Sequence, residues 1–385
     1  MKIVYIIGGI HAANGMSDVL TRKVNWLATH TDAEMHVVLT ERHAGEPFYK
    51  LHPAVGVVNL GLDFDRLDTL PLWRKLPLYA ILQHRYRRRL TRYLMDLHAD
   101  IVVSALRRDV NFLADVADGS RKVGELHFSR ASYRVFHRTW LPAWVNRAVT
   151  RRWQASLVAT LRRLDAFVVL SHEDARAWPE LAANIHVIPN SIRPDDAASD
   201  AATPAPPRQK AVLAAGRYTY QKGFDLLLSS WASVEPQARG WHLDIFGSGD
   251  PKPYVIRARR LGLKAVNFHA ATPDLHAEML SRPIFAFTSR YEGFGLVLAE
   301  AMAAGMAVVS YACPCGPRDI VTHDTDGLLV EHVADTKTFA RELLRLITDT
   351  DLRQRLASAA TRSARRYDEH TVMQQWRRLF ADLMR

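Results

Sequence analysis

Glu292 and Glu300 stand with seven residues between them in Tyr291-Glu292-Gly293-Phe294-Gly295-Leu296-Val297-Leu298-Ala299-Glu300. Gly293-Phe294-Gly295 reads as a loop, and Leu296 to Ala304 reads as a helix closed by Gly305. The first carboxylate therefore sits at a loop tip and the second on a helix face. The apolar run Pro283 to Ser289 upstream reads as a buried strand. Strand, glycine loop and helix in that order offer a ligand the free N–H groups of a helix start, and a nucleotide sugar suits that geometry. The plainer alternative is a solvated helix with an acidic residue near its beginning.

A second group lies 70 residues earlier, in Ala214-Ala215-Gly216-Arg217-Tyr218-Thr219-Tyr220-Gln221-Lys222-Gly223-Phe224-Asp225. A strand ending at Gly216 lets the backbone turn sharply, and Arg217 and Lys222 across the loop suit paired phosphates. Two surface cations beside a turn are the alternative. Leu243 to Gly249 adds a strand ending in Gly247-Ser248-Gly249, a weak signal taken alone. Near the start, Ile6-Ile7-Gly8-Gly9-Ile10-His11-Ala12-Ala13-Asn14-Gly15-Met16-Ser17 reads as a strand, a glycine-bearing loop and a helix from about Ser17. His127 follows the strand-like Lys122 to Leu126, at the strand end where open α/β sheets bind ligands; a structural, hydrogen-bonded histidine is the competing reading. His11 is a weaker candidate of the same kind.

Thr288 to Gly295, Glu300-Ala301-Met302-Ala303-Ala304-Gly305 and Cys313-Pro314-Cys315-Gly316-Pro317-Arg318-Asp319, together with the Gly216 to Lys222 segment, resemble the signature of the retaining glycosyltransferases of family 4, whose fold is called GT-B. The resemblance implies transfer of a sugar from a nucleotide diphosphate donor, a UDP-sugar ahead of a GDP-sugar, to a hydroxyl of a glycan or a polyprenyl-diphosphate-linked glycan, with the anomeric configuration retained. It implies Arg217 and Lys222 at the leaving diphosphate, Glu292 on donor-sugar hydroxyls, Glu300 on the ribose and His127 near the reacting sugars. Gly15, Gly216, Gly247, Gly293, Phe294 and Gly295 would line the donor. No covalent nucleophile, metal or cofactor is expected. Gly316-Pro317-Arg318-Asp319 favours a surface-polysaccharide or glycoconjugate pathway. Phe268-His269-Ala270 departs from the family's usual glycine at the third place.

The elements that must hold these residues form two blocks. At 385 residues, with 48% hydrophobic and 24% charged residues, the chain exceeds one core and needs no metal or disulfide to fold. Short β-rich runs alternate with helical stretches on both sides of a polar, proline-bearing break, which predicts two doubly wound, Rossmann-like parallel-sheet domains with a central cleft. The expected domains are residues 1–193, which would bind the acceptor, and 211–366, which would bind the donor. A linker covers 194–210, and a last helical segment, 367–385, is implied by the resemblance to return to the first domain.

Cys313 and Cys315, one proline apart, are strained for a mutual disulfide and too few for zinc, which fits a reducing cytoplasm. The start lacks a cleavable signal pattern, and no run of 18 apolar residues occurs.

The net charge is +11. Residues 1–195 carry 27 Lys and Arg against 19 Asp and Glu, whereas the rest carries 24 against 21, so the excess sits in the first block. There Leu78, Leu82, Tyr86, Leu90, Tyr93 and Leu97 form a helical apolar stripe beside Arg85, Arg88, Arg89 and Arg92. Residues 147–163 repeat the pattern with Val149, Trp153, Leu157 and Leu161 beside Arg151, Arg152, Arg162 and Arg163. Basic amphipathic helices over 78–97 and 147–163 suit the anionic inner membrane face, a peripheral placement useful for a lipid-linked acceptor. Core-facing stripes with solvated basic backs are the alternative.

Three other classes compete. Nucleic-acid binding lacks any recognisable motif. A single-domain metal-dependent transferase would use Asp63-Phe64-Asp65. A GT-B-like sugar-nucleotide epimerase or hydrolase, or a non-catalytic nucleotide-binding module, shares the same motifs.

Overall fold

Apolar runs such as Lys2–Ile7, Ile101–Ser104 and Ala211–Ala215 are buried over nearly their whole length, the signature of strands covered on both faces. In a computed structural model, which describes residues 1–11, 15–42, 48–131, 133, 142–193 and 208–385, they build two parallel sheets. The chain divides into two units: one contains Met1–Leu170, Ala175–Ile188 and Met373–Arg385, the other Ser171–Asp174 and Pro189–Val372. Residues 194–207 of the expected linker lie outside the described residues. Arg208, just beyond them, donates to the carbonyls of Gly305 and Ala304 at 2.5 and 2.9 Å.

In the first unit the strands β1 Lys2–Ile7, β2 Glu34–Leu39, β3 Gly56–Asn59, β4 Ile101–Ser104, β5 Arg121–Leu126, β6 Ala166–Val169 and β7 Ile185–Val187 lie in the order β3-β2-β1-β4-β5-β6-β7. Ile3 pairs with both Met35 and Ile101, so the order reverses beside β1. The helix Leu72–Leu97 packs on this sheet. Leu82, Tyr86, Leu90 and Leu94 are buried with Val4, Ile6, Val38, Phe64 and Phe112, and Leu78, Tyr93 and Leu97 pack against the same cluster. The stripe read as membrane-seeking over 78–97 is thus the core contact, and a surface would meet only the basic back and the first turns. That helix exposes Trp73, Leu76 and Ile81 among Arg74, Arg85, Arg88 and Arg92. The helix Ala143–Leu161 buries Leu157 and Leu161 and exposes Trp144, Trp153, Arg147, Arg151 and Arg152.

In the second unit β8 Ala211–Ala215, β9 His242–Gly247, β10 Val266–Ala270, β11 Ile284–Phe287, β12 Ala307–Tyr311 and β13 Leu328–Val330 take the order β10-β9-β8-β11-β12-β13. Here β8 and β11 meet at the reversal, with Val212 beside Ile284. The core joins Val212, Ala214, Ile245 and Ile284 to Trp231, Phe339, Leu343 and Leu346 from the covering helices Phe224–Val234 and Thr336–Thr348. No described helix is long and apolar enough to cross a membrane.

Candidate functional site

Diverging crossovers leave a crevice at the carboxyl ends of the two strands where the order reverses, the usual ligand position in an open α/β sheet. In the second unit those ends are Ala215 and Phe287. The loops that follow carry the two motif groups. Lys222 Nζ lies 2.7 Å from Glu292 Oε1, with side-chain exposures of 15% and 10%. The cation of the first motif and the carboxylate of the second are therefore brought together at one point. The Lys222 ammonium also sits 5.7 Å from the Phe287 ring centroid, at the end of β11.

Two glycines make this convergence possible. A Cβ on Gly247 would lie 2.1 Å from the Gly216 carbonyl oxygen, so β9 and the β8 loop approach as only a glycine allows. Gly223 has φ +65°, and its Cβ would lie 2.0 Å from the Thr288 carbonyl oxygen, which ties the loop after β8 to the end of β11. Three further bonds join the same segments. Thr288 Oγ1 donates to the Lys222 carbonyl at 3.1 Å, the Arg290 N–H to Gln221 at 2.7 Å, and Gln221 Nε2 to Tyr291 at 3.0 Å. Arg290 binds both Asp225 carboxylate oxygens, at 2.9 and 2.7 Å, and lies 3.9 Å from the Tyr220 ring centroid. Burial opposes the charge on Asp225, but the Arg290 fork outweighs it and holds the carboxyl below its usual range.

The second motif continues into the expected helix. Gly295, at φ +94°, precedes the helix Leu296–Ala303, and Gly305 follows it at φ +70°. Phe294 is buried and packs edge-on against Tyr367 at 5.3 Å. Gly293 and Glu300 are half-buried. The Glu292 N–H donates to the Pro314 carbonyl at 3.1 Å, which binds the Cys313–Asp319 loop to the same centre. That loop is further held by Glu173 of the same unit, which accepts the Cys315 N–H at 3.0 Å and pairs with Arg318 at 3.1 Å. Cys313 and Cys315 are buried and form no disulfide. Burial, then the charge of Glu292, raises the Cys313 thiol well above its ordinary value.

The remaining expected residues stand differently. Arg217 is exposed with no side-chain partner among the described residues, so the two cations of the first motif do not share one contact. Gly216 lies beneath the lysine: a Cβ there would be 3.0 Å from Lys222 side-chain carbons. In the first unit, Gly15 opens the helix Gly15–His30, is exposed, and has open space where a Cβ would be. The preceding residues 12–14 lie outside the described residues. His127 follows β5, and its side chain is 7% exposed with Nε2 3.3 Å from Glu125 Oε1. Burial lowers its proton affinity and outweighs the opposing pull of Glu125.

The Asp63/Asp65 triplet gathers nothing comparable. Asp63 takes φ +54° ahead of a short 3-10 segment, the Asp65 N–H donates to Glu41, and Phe64 between them is fully buried. Among the described residues no group of three or more His, Cys, Asp or Glu side chains is placed to hold a metal ion. Sequence reasoning missed Asp225 and Glu173 as braces. Asp225 stood in the quoted motif, but Glu173 meets its partners only through the fold, more than 140 residues away along the chain.

Residues 195–363 match the family model described as Glycosyl transferases group 1. The chain is 32% identical over 171 residues to the amylovoran biosynthesis glycosyltransferase AmsD of Erwinia amylovora, covering 44% of this chain and 47%, about half, of that relative. It is 22% identical over its whole length to the GalNAc-alpha-(1->4)-GalNAc-alpha-(1->3)-diNAcBac-PP-undecaprenol alpha-1,4-N-acetyl-D-galactosaminyltransferase of Campylobacter jejuni, covering 99% of that protein. Among solved structures, TarM of S. aureus in complex with fondaparinux, alpha-GlcNAc-glycerol and UDP superposes with a TM-score of 0.75 at 14% identity, over 98% of this chain and 99% of that one. This likeness and the two sheets establish the α/β GT-B fold.

Proposed function

We propose that the chain is a retaining, metal-independent glycosyltransferase that moves a sugar from a nucleotide diphosphate, UDP ahead of GDP, to a hydroxyl of a glycan or lipid-linked glycan during surface-polysaccharide or glycoconjugate assembly. The observation that carries this reading is the meeting of Lys222 and Glu292 at the strand-order reversal, beside a glycine loop that opens a helix. The group 1 match over that segment supports it. So do the undecaprenol-linked glycan in the name of the Campylobacter relative and the UDP in the TarM complex.

In the proposed reaction the bond between the anomeric carbon and the diphosphate oxygen breaks, and a bond from that carbon to the acceptor oxygen forms on the same face. The acceptor proton passes to the departing phosphate, so no side chain becomes covalently attached. Lys222 and Arg217 meet charge that grows on the diphosphate as the bond breaks, where electrostatic stabilisation counts most. The N–H groups at Gly293 to Gly295 add to phosphate binding. Glu292, already fixed by Lys222, accepts from donor-sugar hydroxyls, Glu300 accepts from the ribose, and His127 meets a hydroxyl near the reacting carbon. Gly15 leaves open space beside the donor, and Gly216 and Gly247 allow the close packing of the loops that would line it.

The test is product analysis with UDP- and GDP-sugars, a polyprenyl-diphosphate-linked glycan and EDTA. The reading expects a new glycosidic bond with the donor's anomeric configuration. An inverted product contradicts retention. Epimerised or hydrolysed donor without transfer favours the epimerase or hydrolase reading.

A peripheral position on an inner membrane face is part of the proposal. The exposed Trp73, Leu76 and Trp144 beside Arg74, Arg85, Arg88, Arg147 and Arg151 combine apolar and cationic groups as an anionic lipid surface requires.

A further inference from the structure

A buried charge pair sits beneath His127. Lys23, from the helix Gly15–His30, pairs with Glu125 on β5, with side-chain exposures of only 5% and 3%. Trp376, on the helix Glu369–Leu383, covers the Lys23 ammonium with its ring centroid at 3.9 Å, and the Tyr5 ring of β1 lies at 5.7 Å. Taking both ions out of water is costly, and apolar residues of the same volume would often serve stability as well. Such a pair therefore asks for another role. The third member supplies one, because Glu125 Oε1 is also 3.3 Å from His127 Nε2.

A carboxylate alone beside an imidazole would hold it protonated. Here burial of the ring outweighs that pull, and the ammonium behind the carboxylate opposes it further. Burial is the largest influence on each member: it lowers Lys23, and Glu125 is held below its usual range only because Lys23 and His127 outweigh burial. The charged and titratable groups that bear on the ring among the described residues are Glu125 from its own strand and Lys23 from the first helix. Tyr5 from β1 lies beside the same carboxylate and stays protonated, and Trp376 is uncharged. With Nε2 facing Glu125, Nδ1 is the nitrogen left for a substrate.

We propose that Lys23 and Glu125 are positioning residues for His127: Glu125 accepts a hydrogen bond from the Nε2–H and fixes the tautomer, while Lys23 compensates the carboxylate so that the buried imidazole works uncharged, accepting a substrate hydroxyl at Nδ1. The consequence for turnover rests on the proposed role of His127, but the control of its protonation stands apart from that role. Lys23→Met leaves the carboxylate uncompensated and favours imidazolium. Glu125→Gln keeps an oxygen at nearly the same place and removes the charge, which favours the neutral ring.

The test is an imidazole 15N NMR titration of the full chain, with His127 identified by its loss in His127→Gln. The wild type should show a neutral ring protonated at Nε2, with its midpoint below that of an exposed histidine. Lys23→Met should raise its midpoint by about one unit or more, Glu125→Gln should lower it, and Lys23→Arg should restore it. The acidic limb of kcat should follow these shifts while donor KM stays within about two-fold. Unmoved midpoints, or a ring protonated at Nδ1, overturn the proposal. If Lys23→Met does not fold, the nearly isosteric Glu125→Gln decides by itself: an unchanged midpoint overturns the inference. Absence of any transfer by the wild type would instead remove the proposed function, leaving the titration to judge the network.

Discussion

A lysine held at 2.7 Å from a nearly buried glutamate is already desolvated and oriented before a donor arrives, which is how a cation gains most on charge that develops only in a transition state. Lys222→Ala should lower kcat by about two orders of magnitude or more, measured by donor turnover. It should also lower stability, because Glu292 loses its partner. Near-normal turnover in a folded variant would remove the assigned role. Glu300→Ala should weaken nucleoside diphosphate binding more than binding of free sugar, checked by calorimetry; equal losses argue against a ribose contact. At this scale the sequence was informative where chemistry repeats at fixed spacing, as with Lys222 and Glu292. It was silent on Lys23 and Glu173, since long-range ion pairs have no local period, and it gave no sign that Arg217 would stand apart from Lys222.

The loops after β8 and β11 behave as one element because Gly223, the Thr288–Lys222 bond and the Arg290–Asp225 fork bind them together, while Gly247 seats β9 against the first of them. Gly247→Ala would drive a methyl group into the Gly216 carbonyl. It should lower the melting temperature by several degrees, since about 1 kcal/mol shifts Tm by about 2–4 °C at this domain size, and it should weaken diphosphate binding as well. The Asp225 carboxyl is held low in the folded protein, so its ion pair with Arg290 stabilises fully above the unfolded value of about 4 and is lost as pH falls through the lower folded value. Urea titrations of Asp225→Asn should thus show a shallower loss of stability below pH 4 than the wild type; identical slopes would show that the pair contributes nothing. Strand and helix order was legible because buried parallel strands read as continuous apolar runs between helical periods. The destination of an apolar stripe was not. Leu82, Tyr86 and Leu90 could equally have met lipid by their spacing, and only packing against Val4, Val38 and Phe112 assigns them to the core.

Across the whole molecule, two sheets with the same strand-order reversal carry different loads. The second unit holds the matched motifs, whereas the first carries most of the excess positive charge and the exposed Trp73 and Trp144. Sedimentation with vesicles should show binding to anionic lipid that falls as salt rises and is absent with neutral lipid. A Trp73→Ala/Leu76→Ala variant should lose most of it, and unchanged binding would clear these residues of the role. Composition foretold the charge asymmetry, but which cations lie on one face depended on the folded helices. The central claim, a diphosphate-binding centre built on Lys222, Glu292 and the Gly293–Gly295 loop, is tested most directly by calorimetric titration of the full chain with UDP and GDP in EDTA. The account predicts that one of the two binds without metal and that Lys222→Ala weakens it at least ten-fold; no binding of either, or binding only when Mn²⁺ or Mg²⁺ is restored, would contradict it.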